Sequence, residues 1–287
     1  MSNNYTEALF PSQLDKFWEE DDGKHNGWDV LSEFFNSDKG KDLAKKLKEE
    51  YDKEKIFPAQ KDIFRAFKLT PFNEVKVVIL GQDPYPDERA DGLCFSQKIY
   101  SNKNDSLKRI FHVLKIDNKD DKNRQLDGWA KQGVLLLNTI LTVSGDGKSV
   151  RNKAGSHKSI GWQEFTKHII NALLQDNDRE VGFILMGNMA IESFEKSLPN
   201  ELSRNNILSI KLDYNKRCYK KYDLEFEGNS SKFHVVESPH PASPLWSDFI
   251  DRLGLPDRLG LPDRFGSPFE IINKQFPNIA IKWKYHH

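Results

Sequence analysis

Cysteine is nearly absent from this 287-residue chain. Cys94 and Cys218 are the whole complement, too few for a disulfide framework, a four-thiolate metal site or an iron–sulfur cluster. No run approaches the ~18 apolar residues of a spanning helix, so no membrane role is expected. The opening MSNNYTEALF has no basic head leading into an apolar stretch, and the expected compartment is therefore the cytoplasm. Net charge is missing too: 43 Lys and Arg balance 43 Asp and Glu. That removes the long-range field of a bulk polyanion binder but leaves room for a local patch. HExxH and the Cys/His spacings of zinc sites do not occur, which argues against a dedicated metal centre. GxSxG and GxGxxG are also absent, so serine-hydrolase and dinucleotide readings lose their main support.

What is present is the composition of a globular protein, with 37% hydrophobic and 30% charged residues. The length suits one large domain or two small ones. Four nearly continuous apolar runs stand out: VKVVIL at 75–80, GVLLLN at 133–138, VGFILM at 181–186 and FHVVES at 233–238. Runs of this length and branching suit strands buried on both faces. Between them lie helical patterns. Leu107, Ile110, Phe111 and Leu114 recur at i, i+3, i+4 and i+7, and a second amphipathic stretch covers 162–175. Strands alternating with helices predict βαβ units. The expected fold is a single three-layer α/β/α domain over 1–287, with a central, mostly parallel four-stranded sheet. Residues 11–70 are expected to form a helical cover, with Leu43, Leu47 and Tyr51 as an inward stripe.

Two segments read as insertions. Residues 200–232 are polar and contain KRCYKK at 216–221, a basic cluster that fits either a solvated face or a phosphate contact. Residues 246–263 hold two copies of DRLGLP, followed by a degenerate DRFGSP at 263–268. Three six-residue units are too short for a solenoid, and their Asp, Gly and Pro content favours turns with apolar tips.

In an open parallel sheet, ligands bind beyond the carboxyl ends of the strands. The first run leads into GQDPYPDERADGLCFS at 81–96, the second ends on Asn138, and the fourth leads into SPHPASPL at 238–245. An Asp, an Asn and a His are thus expected to face one crevice, with Tyr85 and Phe95 on the long loop after the first strand.

GQDPY, GLCFS, LLLNT and HPASPL together resemble the four signature motifs of family 1 uracil-DNA glycosylases. The resemblance continues through FPAQKDIFRAF at 57–67 and SHKSIGWQEFT at 156–166. It implies a monofunctional enzyme of base excision repair, working without a cofactor, that flips uracil from DNA and hydrolyses its glycosidic bond to leave an abasic site. By resemblance, Asp83 positions and activates water and His240 stabilises the departing base. Phe95 stacks on uracil, Asn138 reads its edge, Tyr85 excludes the methyl of thymine, and Gln82 contributes through its backbone. Ser106, Ser243 and His157 are candidate phosphate contacts, Ser106 equally an ordinary helix cap. Leu245 is the default wedge into the duplex, with Leu253, Leu255, Leu259 and Leu261 as competitors. The implied partners are uracil-containing DNA, single- or double-stranded, and a protein inhibitor on the DNA face of a monomer.

Three departures mark the chain. Pro86 stands where the family normally has His, the loop to Phe95 is one residue shorter, and Ala242 is an extra residue in the last motif. They motivate an alternative, a catalytically weakened DNA-binding or processivity module on the same fold. Intact Asp83, Asn138, Phe95 and His240 argue against it. A glycosylase acting on other deaminated bases is disfavoured by Tyr85 and Asn138.

Overall fold

The computed structural model describes residues 27–99, 106–116, 124–145, 155–176, 179–198, 208–212, 219–225, 232–246, 267–275, 278 and 280–284. In chain order its elements are α1 (Asp29–Asn36), α2 (Asp38–Lys53), β1 (Ile56–Phe57), α3 (Arg65–Leu69), β2 (Val77–Gly81), α4 (Ser106–Leu114), α5 (Asp127–Ala130), β3 (Val134–Asn138), β4 (Val143–Ser144), α6 (Trp162–Gln175), β5 (Glu180–Met186), α7 (Asn188–Ser197), β6 (Leu208–Leu212), β7 (Tyr219–Glu225), β8 (Lys232–Ser238) and α8 (Pro268–Gln275).

The four apolar runs become β2, β3, β5 and β8, which pair in parallel in the order β3-β2-β5-β8. Every residue of β2 and β3 is buried, because helices cover both faces of a parallel sheet and leave no polar side. Successive residues of β5 show the two covers. A Cβ at Gly182 would meet Ile272 of α8 at 3.0 Å, while the Phe183 ring lies 4.8 Å from that of Phe194 on α7. Neighbouring strand residues point to opposite faces, so α8 and α7 flank the sheet from opposite sides, giving three layers.

The segment read as a polar insertion extends the sheet. Within 200–232, β6 and β7 form an antiparallel hairpin, and β7 pairs antiparallel with β8. The sheet thus has six strands, four parallel and two antiparallel. Tyr219–Lys221 of the basic cluster lie in β7, and residues 216–218 fall outside the described residues.

Within the N-terminal segment, residues 29–36 and 38–53 form α1 and α2. In α2, Leu43 and Leu47 are buried and Tyr51 packs against the core. Ser37 caps α2, its hydroxyl accepting from the Gly40 N–H at 3.2 Å. Aromatic edges join the cover to the body: Phe34 and Phe67 meet Phe165 of α6 at 5.2 and 5.8 Å. Such edge contacts add about 0.5–1.5 kcal/mol each beyond burial. Residues 11–26 of the expected cover lie outside the described residues, as do the DRLGLP repeats at 251–266.

Candidate active site

The carboxyl ends of β2, β3 and β8 open on one cavity of about 280 Å3, at the small end of the ~300–1,000 Å3 range of ligand pockets. Its wall includes Gln82, Asp83, Tyr85, Phe95, Ser106, Asn138 and His240. Residues from five separate stretches of chain converge here because β2 and β3 run side by side in register, Gly81 opposite Asn138. The loop after β2 then folds back, with the Cys94 N–H donating to the Leu136 carbonyl at 3.0 Å.

Gly81 makes that convergence sterically feasible. A Cβ there would sit 2.2 Å from Cys94 Sγ, 2.9 Å from Asn138 Oδ1 and 3.2 Å from Phe95 Cζ. Phe95 is 8% exposed and holds a left-handed φ of 65°. A non-glycine residue kept there costs on the order of 1–3 kcal/mol and marks a constrained site. Its ring and that of His240 lie 5.6 Å apart. The Asn138 carboxamide forms no hydrogen bond among the described residues and lines the cavity, so its donor and acceptor are free for a ligand edge.

Asp83 accepts a hydrogen bond from the Gly155 N–H and another from Gln82. Burial outweighs both and pushes its carboxyl up to about 6. The Gln82 carbonyl accepts from the Ile140 N–H at 2.9 Å, fixing the backbone beside Asp83.

Burial, with Arg109 nearby, brings the His240 imidazole down to about 4, so the ring is neutral at physiological pH. Its Nδ1 accepts from the Ala242 N–H at 3.1 Å, which places the single ring proton on Nε2. Gly187, at a φ of 94°, admits this histidine: a Cβ at 187 would lie 2.8 Å from His240 Cβ. Arg109 on α4 donates to the carbonyls of Pro241 and Ser243 at 2.9 and 3.2 Å, clamping the loop that carries His240. Sequence reasoning missed Arg109, Gly155 and Gly187. The first sits on an unremarkable polar helix face, and the other two act through backbone.

Of the remaining candidates, Ser106 heads α4 and lines the cavity. Ser243 lies outside the wall, and its hydroxyl accepts from the Leu245 N–H at 3.2 Å. Leu245 is 41% exposed beside buried Trp246. His157 must be corrected as a phosphate contact. It is 1% exposed, its Nδ1 and Nε2 engaged by the hydroxyls of Thr142 and Ser144 at 2.8 and 3.0 Å. The ring therefore braces the segment after β3 and has no free polar atom for DNA.

Among the described residues no helix is long and apolar enough to cross a membrane, and no three His, Cys, Asp or Glu side chains converge as metal ligands. Cys94 is fully buried, which raises its thiol well above the usual range and makes it a packing residue.

The arrangement is a small slot with an aromatic shelf, an amide on one edge, a carboxylate and a neutral imidazole donor. It suits a flat heterocycle that leaves as an anion. Residues 67–251 match the model of the uracil DNA glycosylase superfamily. The chain belongs to that superfamily. A uracil-DNA glycosylase from Bacillus pumilus is 36% identical over 218 residues, covering 75% of this chain and 80% of that one. Another, from Mesomycoplasma hyopneumoniae, is 44% identical over 153 residues, 52% of this chain and 65% of that one. A mimivirus UNG variant in complex with UGI shares the fold, with a TM-score of 0.63, 19% identity, and coverage of 94% of this chain and 89% of that one.

Proposed function

We propose that the chain is a monofunctional uracil-DNA glycosylase of family 1, hydrolysing the N-glycosidic bond of a uracil flipped out of DNA and leaving an abasic site for base excision repair. The observation that carries this reading is a single cavity lined by both a half-buried carboxylate, Asp83, and a neutral imidazole whose free ring nitrogen bears the proton, His240. A base inside a duplex is inaccessible, so the nucleotide rotates into the slot. Uracil stacks on Phe95, its edge pairs with the Asn138 amide, and Tyr85 closes the space beside C5, where thymine carries a methyl.

Bond cleavage leaves negative charge on the base and positive character on the sugar. The Nε2–H of His240 donates to the developing oxyanion, and a donor of this kind typically contributes about 2.7–4 kcal/mol to the transition state. Because the ring is neutral in the ground state, its donated hydrogen bond strengthens as charge develops. Asp83 orients and activates the attacking water and, ionised, stabilises the oxocarbenium-like sugar. A carboxyl near 6 is ionised at neutral pH yet more basic than an exposed one. Gln82 and the Gly155 N–H hold that carboxylate in place. No cofactor enters any step.

DNA grip comes from Ser106 at a helix start and Ser243 in the HPASPL turn, with phosphates held by hydroxyls and backbone N–H groups, and Leu245 fills the gap left by the flipped base. His157 supports this machinery from inside. The enzyme works as a monomer in the cytoplasm within one domain. The similar mimivirus fold is in complex with UGI, and a protein inhibitor on the DNA face is part of this reading. Uracil release from a single-uracil oligonucleotide tests the whole. Release by the wild type, lost in Asp83→Asn with His240→Ala, is the expected result, and DNA binding without release would reject it.

A further inference from the structure

Tyr85 can exclude a C5 substituent only if its ring cannot move aside, and the ring is merely half-buried. Its hydroxyl contributes little, donating to the Phe95 carbonyl at a long 3.4 Å. The restraint comes from elsewhere. Pro84 and Pro86 flank Tyr85, and the residue before a proline is confined to extended backbone. Phe57, Ala90 and Val143 form a small apolar cluster against which the ring packs. This cluster is built by the β1–β4 ribbon, where Phe57 pairs with Val143.

A further contact is charged. The Arg89 guanidinium lies over the Tyr85 ring, 4.3 Å from its centroid, where the ring quadrupole attracts a cation. Arg89 is itself 4% exposed and held in a fork. Its Nε and Nη2 donate to the two carboxylate oxygens of Asp87, each at 2.8 Å, and its backbone N–H donates to Asp87 Oδ1 at 3.1 Å. The turn is closed by the Lys98 N–H donating to the Arg89 carbonyl at 2.8 Å. A bidentate pair fixes orientation as well as distance, so the guanidinium cannot swing off the ring. Arg89 does not line the cavity, and its guanidinium faces it across the Tyr85 ring.

We propose that the Asp87–Arg89 pair is the specificity brace of this pocket. Stacked on Tyr85, it keeps the phenol ring a rigid wall against a methyl at C5, and so sets discrimination between uracil and thymine. Arg89 is a positioning residue, and the inference rests on the glycosylase reading above. A yielding pocket rejects one extra methyl only about 10–200-fold. A wall that cannot relax forces overpacking instead and rejects far more.

The test compares release of uracil and of thymine from matched oligonucleotides by wild type, Arg89→Met, Arg89→Lys and Asp87→Asn, with folding verified by circular dichroism. Arg89→Met keeps the packing stem while removing the fork. It is expected to raise the thymine-to-uracil ratio of kcat/KM at least tenfold, with Arg89→Lys intermediate. Should Arg89→Met fail to fold, Asp87→Asn, which retains the side-chain shape but weakens the fork, is expected to move the ratio in the same direction. Parallel loss of both activities at a constant ratio, or thymine release still below detection in the folded variants, would overturn the brace. Failure of the wild type to release uracil would instead overturn the glycosylase reading.

Discussion

The backbone N–H of Ala242 donates to His240 Nδ1 at 3.1 Å, so the extra residue of the last motif supplies the hydrogen bond that sets the tautomer of the proposed oxyanion donor. The ring is then a neutral Nε2–H donor over the whole physiological range, since burial holds it near 4. Nitrogen-15 NMR of labelled histidine is expected to show this tautomer for His240 from pH 5.5 to 8. His240→Ala should lower kcat by roughly 10²–10³-fold, the usual cost of one such donor. An Nδ1–H tautomer at neutral pH would remove the ring from that role.

Arg109 acts on the same loop from α4, through the carbonyls of Pro241 and Ser243. Its charge also opposes protonation of His240, as a secondary cause behind burial. Arg109→Met is expected to raise the His240 pKa, moving the acid limb of any His240-dependent step to higher pH, and to lower kcat as the loop loosens. Arg109→Lys should restore the charge effect more fully than the two-carbonyl clamp, because both bonds come from Nη1 and the lysine stem ends one bond short of it. The histidine titration by NMR, set beside kcat for both variants, separates the two contributions.

Asp83 and His240 make opposite demands on stability as pH changes. Burial raises the Asp83 carboxyl from 3.8 to about 6. The native state therefore holds this proton more tightly than the unfolded chain, and stability is lost as pH rises from about 4 through 6. His240 falls from 6.5 to about 4, so the unfolded chain binds the proton more tightly and stability is lost as pH falls from 6.5 toward 4. The two slopes oppose each other over that window. Asp83→Asn removes the first and leaves the second. The variant is expected to melt at a higher temperature than wild type at pH 7.5, and to lose stability more steeply on acidification. Its activity should fall by roughly 10²–10⁴-fold with loss of the proposed general base. In the wild type, kcat should decline below a pH of about 6 as Asp83 protonates. Melting curves and pH–rate profiles of both proteins give the two readouts.

The parallel sheet was legible because burial on both faces leaves an unbroken apolar run, as in Val77–Gly81 and Val134–Asn138. The candidate site was legible for a related reason, since Asn138 ends one of those runs and Asp83 and His240 come two residues after the β2 and β8 strands. Strand pairing of two residues carries no periodic signal, and the Ile56–Phe57 ribbon with Val143–Ser144 was invisible for that reason. The Leu208–Leu212 strand did leave a trace, because Leu208, Ile210 and Leu212 alternate, but its polar surroundings masked it. His157 misled because a histidine in a loop looks exposed. Only the fold shows that Thr142 and Ser144 enclose it.

The balanced charge of 43 against 43 bears on how DNA is held. If Ser106, Ser243 and backbone N–H groups contact phosphates in place of Lys and Arg, few counterions are displaced on binding. Each neutralised phosphate contributes about 0.9 to the magnitude of the log–log salt slope on duplex DNA, so a slope no steeper than about −3 is expected. As the proposed wedge, Leu245, exposed at 41%, would add an apolar term that salt does not screen. Leu245→Ala should therefore reduce excision from duplex substrate by about tenfold, while leaving single-stranded excision and the salt slope nearly unchanged. This follows because a wedge is needed only where a base must be unstacked, at a cost of a few kcal/mol per step. Binding isotherms at graded salt, with excision rates on matched single- and double-stranded oligonucleotides, check both halves. A steep slope would transfer the grip to cationic side chains, with KRCYKK as the first segment to neutralise. An unchanged duplex rate in Leu245→Ala would reject Leu245 as the principal wedge.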